Sequence, residues 1–112
     1  MNNSMTVLDE ILPIICHMMI NKETGTYNMT NPGYINHNEI LNLYKIIVHP
    51  NYIWKNFTEE EQNKILLSKR SNNILNTIKL TNYCHSSSLH LSDIRTAIKD
   101  VFHKMKSNID VI

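Results

Sequence analysis

Apolar residues recur every three to four positions near the start of the chain, as Val7-Leu8, Ile11-Leu12, Ile14-Ile15 and Met18-Met19. That spacing gathers side chains on one face of a helix and predicts a well-buried first element. Thr6 stands where a hydroxyl can accept from the free amides of the first turn, and Asp9 follows three residues on, as in a capping box. Pro13 falls inside the pattern; lacking an amide hydrogen, it should bend or interrupt the helix. Cys16 on the apolar face reads as a small buried hydrophobe, and Met18, Met19, Trp54 and Phe57 read as core.

The period then changes. After Gly25, Thr26-Tyr27-Asn28-Met29-Thr30 alternates and predicts a short strand entering the Asn31-Pro32-Gly33 turn, where its end could deliver a loop to a ligand. Asn36 precedes His37-Asn38-Glu39, which predicts a cap with Glu39 as reciprocal partner and a helix whose apolar face is Ile40, Leu41, Tyr44, Ile47 and Val48, stopped by Pro50. A second short strand is expected at Ile53-Trp54-Lys55-Asn56-Phe57, and Thr58 with Glu61 should open a helix to about Leu67. Asn76 is expected to cap a single turn containing Lys79 and Leu80, followed by the polar connector Ser86-Ser87-Ser88. From Ser92, the stripe Ile94, Ala97, Ile98, Val101, Phe102 and Met105 predicts a last helix, with His103, Lys104 and Lys106 suited to its C-terminal end. The sum is an α+β fold, helices packed around a few short strands, in one unit over residues 1–112.

Composition narrows the classes of function. A chain of 112 residues, 42% hydrophobic, forms one small core and no more. A net charge of +1, with Lys and Arg scattered among Asp and Glu, argues against a nucleic-acid partner. No apolar run approaches the ~20 residues that span a bilayer, and no secretory pattern opens the chain, so no membrane partner and a cytoplasmic protein are expected. Cys16 and Cys84 lack C-x-x-C spacing and should be reduced thiols. The pairs Cys16-His17 and Cys84-His85 invite a metal, but adjacent helical residues diverge by about 100°, so no metal site is expected there. Frequent Asn, Ile and Lys suggest AT-rich coding DNA of the kind found in some large DNA viruses and parasites.

The run Arg70-Ser71-Asn72-Asn73, followed by Leu75 and Thr77-x-Lys79-Leu80, carries the most chemistry. A guanidinium makes forked bonds to a diphosphate, and asparagine amides both donate and accept towards sugar hydroxyls or a base. Taken as a tetrapeptide alone it reads more simply as a turn with a solvated arginine. Upstream lie Asn3-Ser4-Met5-Thr6, Gly25 to Gly33, His37-Asn38-Glu39-Ile40-Leu41, Trp54-Lys55-Asn56-Phe57-Thr58 and Glu60-Glu61-Gln62. His37 and Glu39 tempt an acid/base reading, but residues two apart point to different sides of a helix and Glu39 has a capping role, which favours structure.

In this order the motifs resemble the C-terminal part of the UDP-4-keto-6-deoxyglucose 3,5-epimerase/4-reductases of UDP-rhamnose synthesis, and more distantly the dTDP-4-dehydrorhamnose reductases. The resemblance runs from about Asn3 to Leu80; Lys69 and Asn76 stand where family members usually carry proline and aspartate. It implies the substrate-binding portion of a Rossmann-type extended short-chain dehydrogenase. Ser4 and Met5 would lie on a loop crossing the sugar, and Arg70, Ser71, Asn72 and Asn73 would lie over the nucleotide-sugar. For Ser4 a helix-capping role is the plain alternative.

The complete family enzyme uses NADPH, a glycine-rich turn against its pyrophosphate, and a Tyr-x-x-x-Lys pair. Here Gly25 and Gly33 lie in no such turn, and none of Tyr27, Tyr34, Tyr44, Tyr52 and Tyr83 has a lysine four residues on. No cofactor and no catalytic residue are therefore expected in this chain, which should not transfer hydride alone. The partners implied are a UDP-sugar in the complete enzyme and a Rossmann-domain partner or a second copy. A docking or regulatory module for a separate Rossmann-containing subunit, or a decayed gene product, are the alternatives.

Overall fold

A computed structural model describes residues 2–54 and 73–111. Among them the chain forms four helices: α1 (Leu8–Ile20), α2 (His37–Ile47), α3 (Ile78–Ser86) and α4 (Ile94–Val111). The only extended pairing among the described residues is an isolated antiparallel bridge between Asn3 and Ile35. The expected α+β fold is thus corrected to a mostly helical one. The alternation at residues 26–30 is real but finds no neighbouring strand, and its backbone is met one group at a time. Thr6 Oγ1 donates to the Met29 carbonyl, Lys79 Nζ to that of Thr26, and the Asn31 amide to that of Met5. Ile53 and Trp54 are likewise in no strand; residues 55–57, and the helix expected from Thr58 to Leu67, lie outside the described residues.

Two small clusters hold the helices among the described residues, where a single core was expected, because α1 packs against α3 while α4 packs against the run at Ile35. Ile11 and Ile14 of α1 pack with Leu80 and Cys84 of α3, flanked by Ile15, Met18, Tyr27, Met29, Leu89 and Leu91. Ile35 packs with Ile94 and Ile98 of α4, flanked by Met5, Val7, Ile40, Leu43 and Phe102. Leu80 and Cys84 are one turn apart, so burying both carries α3 to nine residues where a single turn was expected. Asn76 still serves its start, since its Oδ1 accepts from the Ile78 amide. The last helix also continues past its basic residues, which places Lys104 inside it, paired with Asp9 at 3.3 Å.

The doubled apolar positions of α1 make two adjacent stripes, and only one is covered by described residues. Leu8, Leu12, Met19 and Ile20 are each at least half exposed, and Cys16 is exposed. The expectations of a well-buried helix, a buried Cys16 and a core Met19 are corrected accordingly. Pro13 neither ends nor splits the helix. It lies on the exposed side, where water can satisfy the Asp9 carbonyl that a proline cannot reach. Thr6 is not the cap. Val7 holds that position, and its own amide donates to Asn31 Oδ1 at 2.8 Å.

At α2 the local signal and the structure agree. Asn36 accepts from the Glu39 amide, and its own side-chain amide donates back to Glu39 Oε1 at 3.2 Å. Glu39 also takes a forked pair of bonds from Arg95 of α4, at 2.8 and 3.1 Å, raising the arginine's pKa and pinning α2 to α4.

Candidate functional site

Asn31 organises the region from which the candidate site is built. It is fully buried, accepts from Val7, and donates from Nδ2 to the Ser92 carbonyl at 3.0 Å and to Glu10 Oε1 at 3.4 Å. Next to it, the Pro32 carbonyl accepts from the Ile94 amide, and Gly33 takes φ +91°, a left-handed conformation that glycine adopts without steric cost. The turn expected to reach a ligand is therefore a knot that ties residues 5–7 to the start of α4. Its product is the extended run to Ile35, on which Asn3 pairs.

Onto this edge the structure brings three of the six residues singled out by resemblance. Ser4 donates its amide to the Asn73 carbonyl at 2.7 Å, and the Asn73 amide donates to Asn3 Oδ1 at 2.8 Å. Ser4 Oγ accepts from the Leu75 amide at 2.7 Å. Ser4, Met5 and Asn73 then line one open cleft of about 280 Å³ with Asn3, Ile35, His37 and Ile40. Arg70, Ser71 and Asn72, which immediately precede Asn73, lie outside the described residues.

The cleft has a definite chemical character. Met5, Ile35 and Ile40 supply an apolar floor, and Asn3, Ser4, His37 and Asn73 supply neutral hydrogen-bonding groups at its rim. A hydroxyl offers one donor and two lone pairs, so accepting from Leu75 leaves Ser4 able to bond a ligand. No carboxylate or fixed cation lines it among the described residues. Such a surface suits a sugar ring or a base face. A diphosphate would need a charge from elsewhere. Its volume lies just under the ~300–1,000 Å³ usual for small-molecule sites, as for part of a larger one.

Sequence reasoning did not single out Asn3, whose amide and side chain both enter the lashing, and it assigned His37 to structure. His37 stands exposed on the cleft rim, whereas Glu39 turns to Arg95. Asn3 could have been found from its place beside Ser4 in the same motif. One member of each Cys-His pair is engaged elsewhere. His17 Nδ1 meets the Tyr83 hydroxyl at 2.9 Å, and Cys84 is buried in the first core, where burial pushes its thiol pKa up.

With this geometry in place, comparison with known proteins is informative. The crystal structure of the L780 UDP-rhamnose synthase from Acanthamoeba polyphaga mimivirus superposes with a TM-score of 0.85 at 46% identity, covering 93% of this chain and 35% of that one. The L780 sequence is 49% identical over 104 residues. An Arabidopsis thaliana bifunctional dTDP-4-dehydrorhamnose 3,5-epimerase/reductase is 54% identical over 78 residues, 70% of this chain and 26% of that protein. A trifunctional UDP-glucose 4,6-dehydratase/epimerase/UDP-4-keto-L-rhamnose reductase of the same plant is 51% identical over 79 residues. The chain thus spans about a third or less of the relatives it matches. No protein-family model matches the sequence.

Proposed function

From a chain homologous to L780 and to the C-terminal parts of the plant rhamnose-forming epimerase/reductases, we propose that it is the nucleotide-sugar-binding portion of an NADPH-dependent epimerase/reductase making UDP-rhamnose. The observation that carries this reading is the convergence of Ser4, Met5 and Asn73, distant in sequence, on one neutral polar cleft. In this reading Ser4 and Asn73 bond the sugar, Met5 gives it an apolar face, and Ser71 and Asn72 contribute the hydrogen-bonding groups that the resemblance assigns to them. Arg70 supplies the charge for the diphosphate. NADPH and the catalytic tyrosine belong to a Rossmann half, so the 112 residues alone do not transfer hydride.

The test is NADPH oxidation with UDP-4-keto-6-deoxyglucose, alongside calorimetric titration of UDP. The chain alone should bind UDP weakly, lose about tenfold or more in affinity on Arg70→Ala through the missing charge-assisted bonds, and show no turnover. Turnover by the chain alone, or UDP affinity indifferent to Arg70→Ala, would overturn the proposal.

The exposed stripe Leu8, Leu12, Met19 and Ile20 favours a second reading, a docking module that completes or blocks a separate Rossmann-containing subunit. A monodisperse monomer with no affinity for the part of L780 that this chain does not match would count against it.

A further inference from the structure

Apart from the cleft, sharing no lining residue with it, Glu10, His90 and Asp100 bring one potential ligand atom each within 4.8 Å of one another. We propose that these three residues bind a divalent transition metal, zinc by the nature of the donors, and that the ion clasps α1 to α4. The proposal does not rest on the sugar-nucleotide reading. One imidazole nitrogen and two carboxylate oxygens suit zinc better than magnesium or calcium, which take oxygen alone.

The charge balance points to a cation independently of the distances. The Glu10 side chain is only 9% exposed, and its one charged partner among the described residues is His90 at 3.7 Å, a cation only when protonated. Asp100 adds a second carboxylate to the same wall, and the nearby Lys104 is engaged by Asp9. Buried carboxylates are ordinarily paired with a positive charge or bound to a metal.

Glu10 is also aimed. The Ser92 amide donates to its Oε1 at 2.7 Å, the Ser92 hydroxyl to its Oε2 at 2.6 Å, and Asn31 Nδ2 to Oε1 at 3.4 Å. Hydrogen bonds of this kind orient a ligating carboxylate, and of its four lone pairs these three leave one, on Oε2, for an ion. A tetrahedral zinc with bonds near 2.0–2.2 Å sets its donors about 3.4 Å apart. The exposed side chains of His90 and Asp100 have to close by up to about 1.4 Å, and both border an open hollow of about 390 Å³ that gives them room and leaves a fourth position to water.

The ligands are 80 and 90 residues from Glu10 along the chain, so the ion would join its two ends. Small domains with little core commonly gain their stability from such a staple.

The test is calorimetric titration of the 112-residue chain with zinc chloride, with thermal unfolding in parallel. One ion per chain and a zinc-dependent rise in Tm are expected. His90→Ala and Asp100→Asn, both exposed positions, should each weaken binding by about 100-fold and abolish the rise, while Ser92→Ala should cost about tenfold. Cobalt(II) in place of zinc should show no thiolate charge-transfer absorption. Absence of binding, affinity unchanged in His90→Ala and Asp100→Asn, or a cobalt–thiolate band from Cys16 would each overturn the proposal.

Discussion

Asn31 and Asn73 are both asparagines at junctions of the chain, and the fold uses them in opposite ways. Asn31 is fully buried with its carbonyl and its amide both engaged. Asn73 is exposed and, among the described residues, is held through its backbone, donating to Asn3 and accepting from Ser4. A side chain whose bonding capacity is consumed by distant backbone groups acts on stability. One whose backbone is fixed where the residue lines a cleft is placed for a ligand. The contrast separates two residues of one type by where their bonds go.

The sharpest break would come at Asn31. Asn31→Leu keeps the approximate size but leaves the Val7 amide and the Ser92 carbonyl without their partners. At about 1–3 kcal/mol for each buried group left unpaired, the loss should be about 3 kcal/mol, read as a lower urea midpoint with unchanged m. A loss under 1 kcal/mol would mean that Asn31 is no hub and would erase the comparison.

Ser4 falls between the two extremes, because its hydroxyl is half used, by Leu75. Ser4→Ala removes one hydrogen bond at a site open to water, so stability should fall by about 1 kcal/mol, and UDP-sugar affinity should fall with it. Ser4→Thr keeps the hydroxyl and should restore the stability. If Ser4→Ala lowered stability but left UDP-sugar binding unchanged, Ser4 would join Asn31 on the structural side.

Asp93 adds a surface case with a pH signature. Its carboxylate accepts from the Thr96 amide at 3.1 Å and the Thr96 hydroxyl at 2.9 Å, at the start of α4. The amide bond chiefly, and the hydroxyl and Arg95 besides, hold its pKa below the usual aspartate value, against a smaller opposing effect of burial. A depressed folded-state pKa contributes stability that is complete above the unfolded value near 4 and is lost as pH falls through the lower folded one. Asp93→Ala should cost about 1 kcal/mol at pH 7, and the gap from the parent chain should close on acidification. A gap independent of pH would remove the carboxylate from the account.

How much was legible follows from how far apart the partners lie. The Asn36–Glu39 cap and the stripe of α4 were readable because their partners are three or four residues away. Asn31 was not, since Val7 and Ser92 are 24 and 61 residues from it. The alternation at residues 26–30 records which side chains face inward and says nothing of whether a strand is available to pair, and none is among the described residues. Cys16 and Met19 were misread because a helix with two apolar stripes does not announce which one its own chain will cover. Ser4, Met5 and Asn73 were found through resemblance, and their proximity could not have been derived from spacing, since Asn73 and Asn3 are 70 residues apart.

The smallest effect on stability, and the most discriminating, is expected at Asn73. Because its structural bonds run through backbone atoms that every residue possesses, Asn73→Ala should change the urea midpoint by less than about 0.5 kcal/mol, the range of surface substitutions. The side-chain amide is the only thing removed, so any fall in UDP-sugar affinity reports a lost contact and not a loosened fold. One hydrogen bond to a sugar hydroxyl is worth roughly 1 kcal/mol, about fivefold in Kd. Asn73→Asp keeps the shape, removes both donors and adds a negative charge beside the position assigned to the diphosphate. It should weaken binding further, and that excess should shrink at high salt because screening weakens repulsion between exposed charges. Equal affinities for the parent chain, Asn73→Ala and Asn73→Asp would mean that the cleft takes no nucleotide-sugar, and the distinction between the two asparagines would then be one of burial alone.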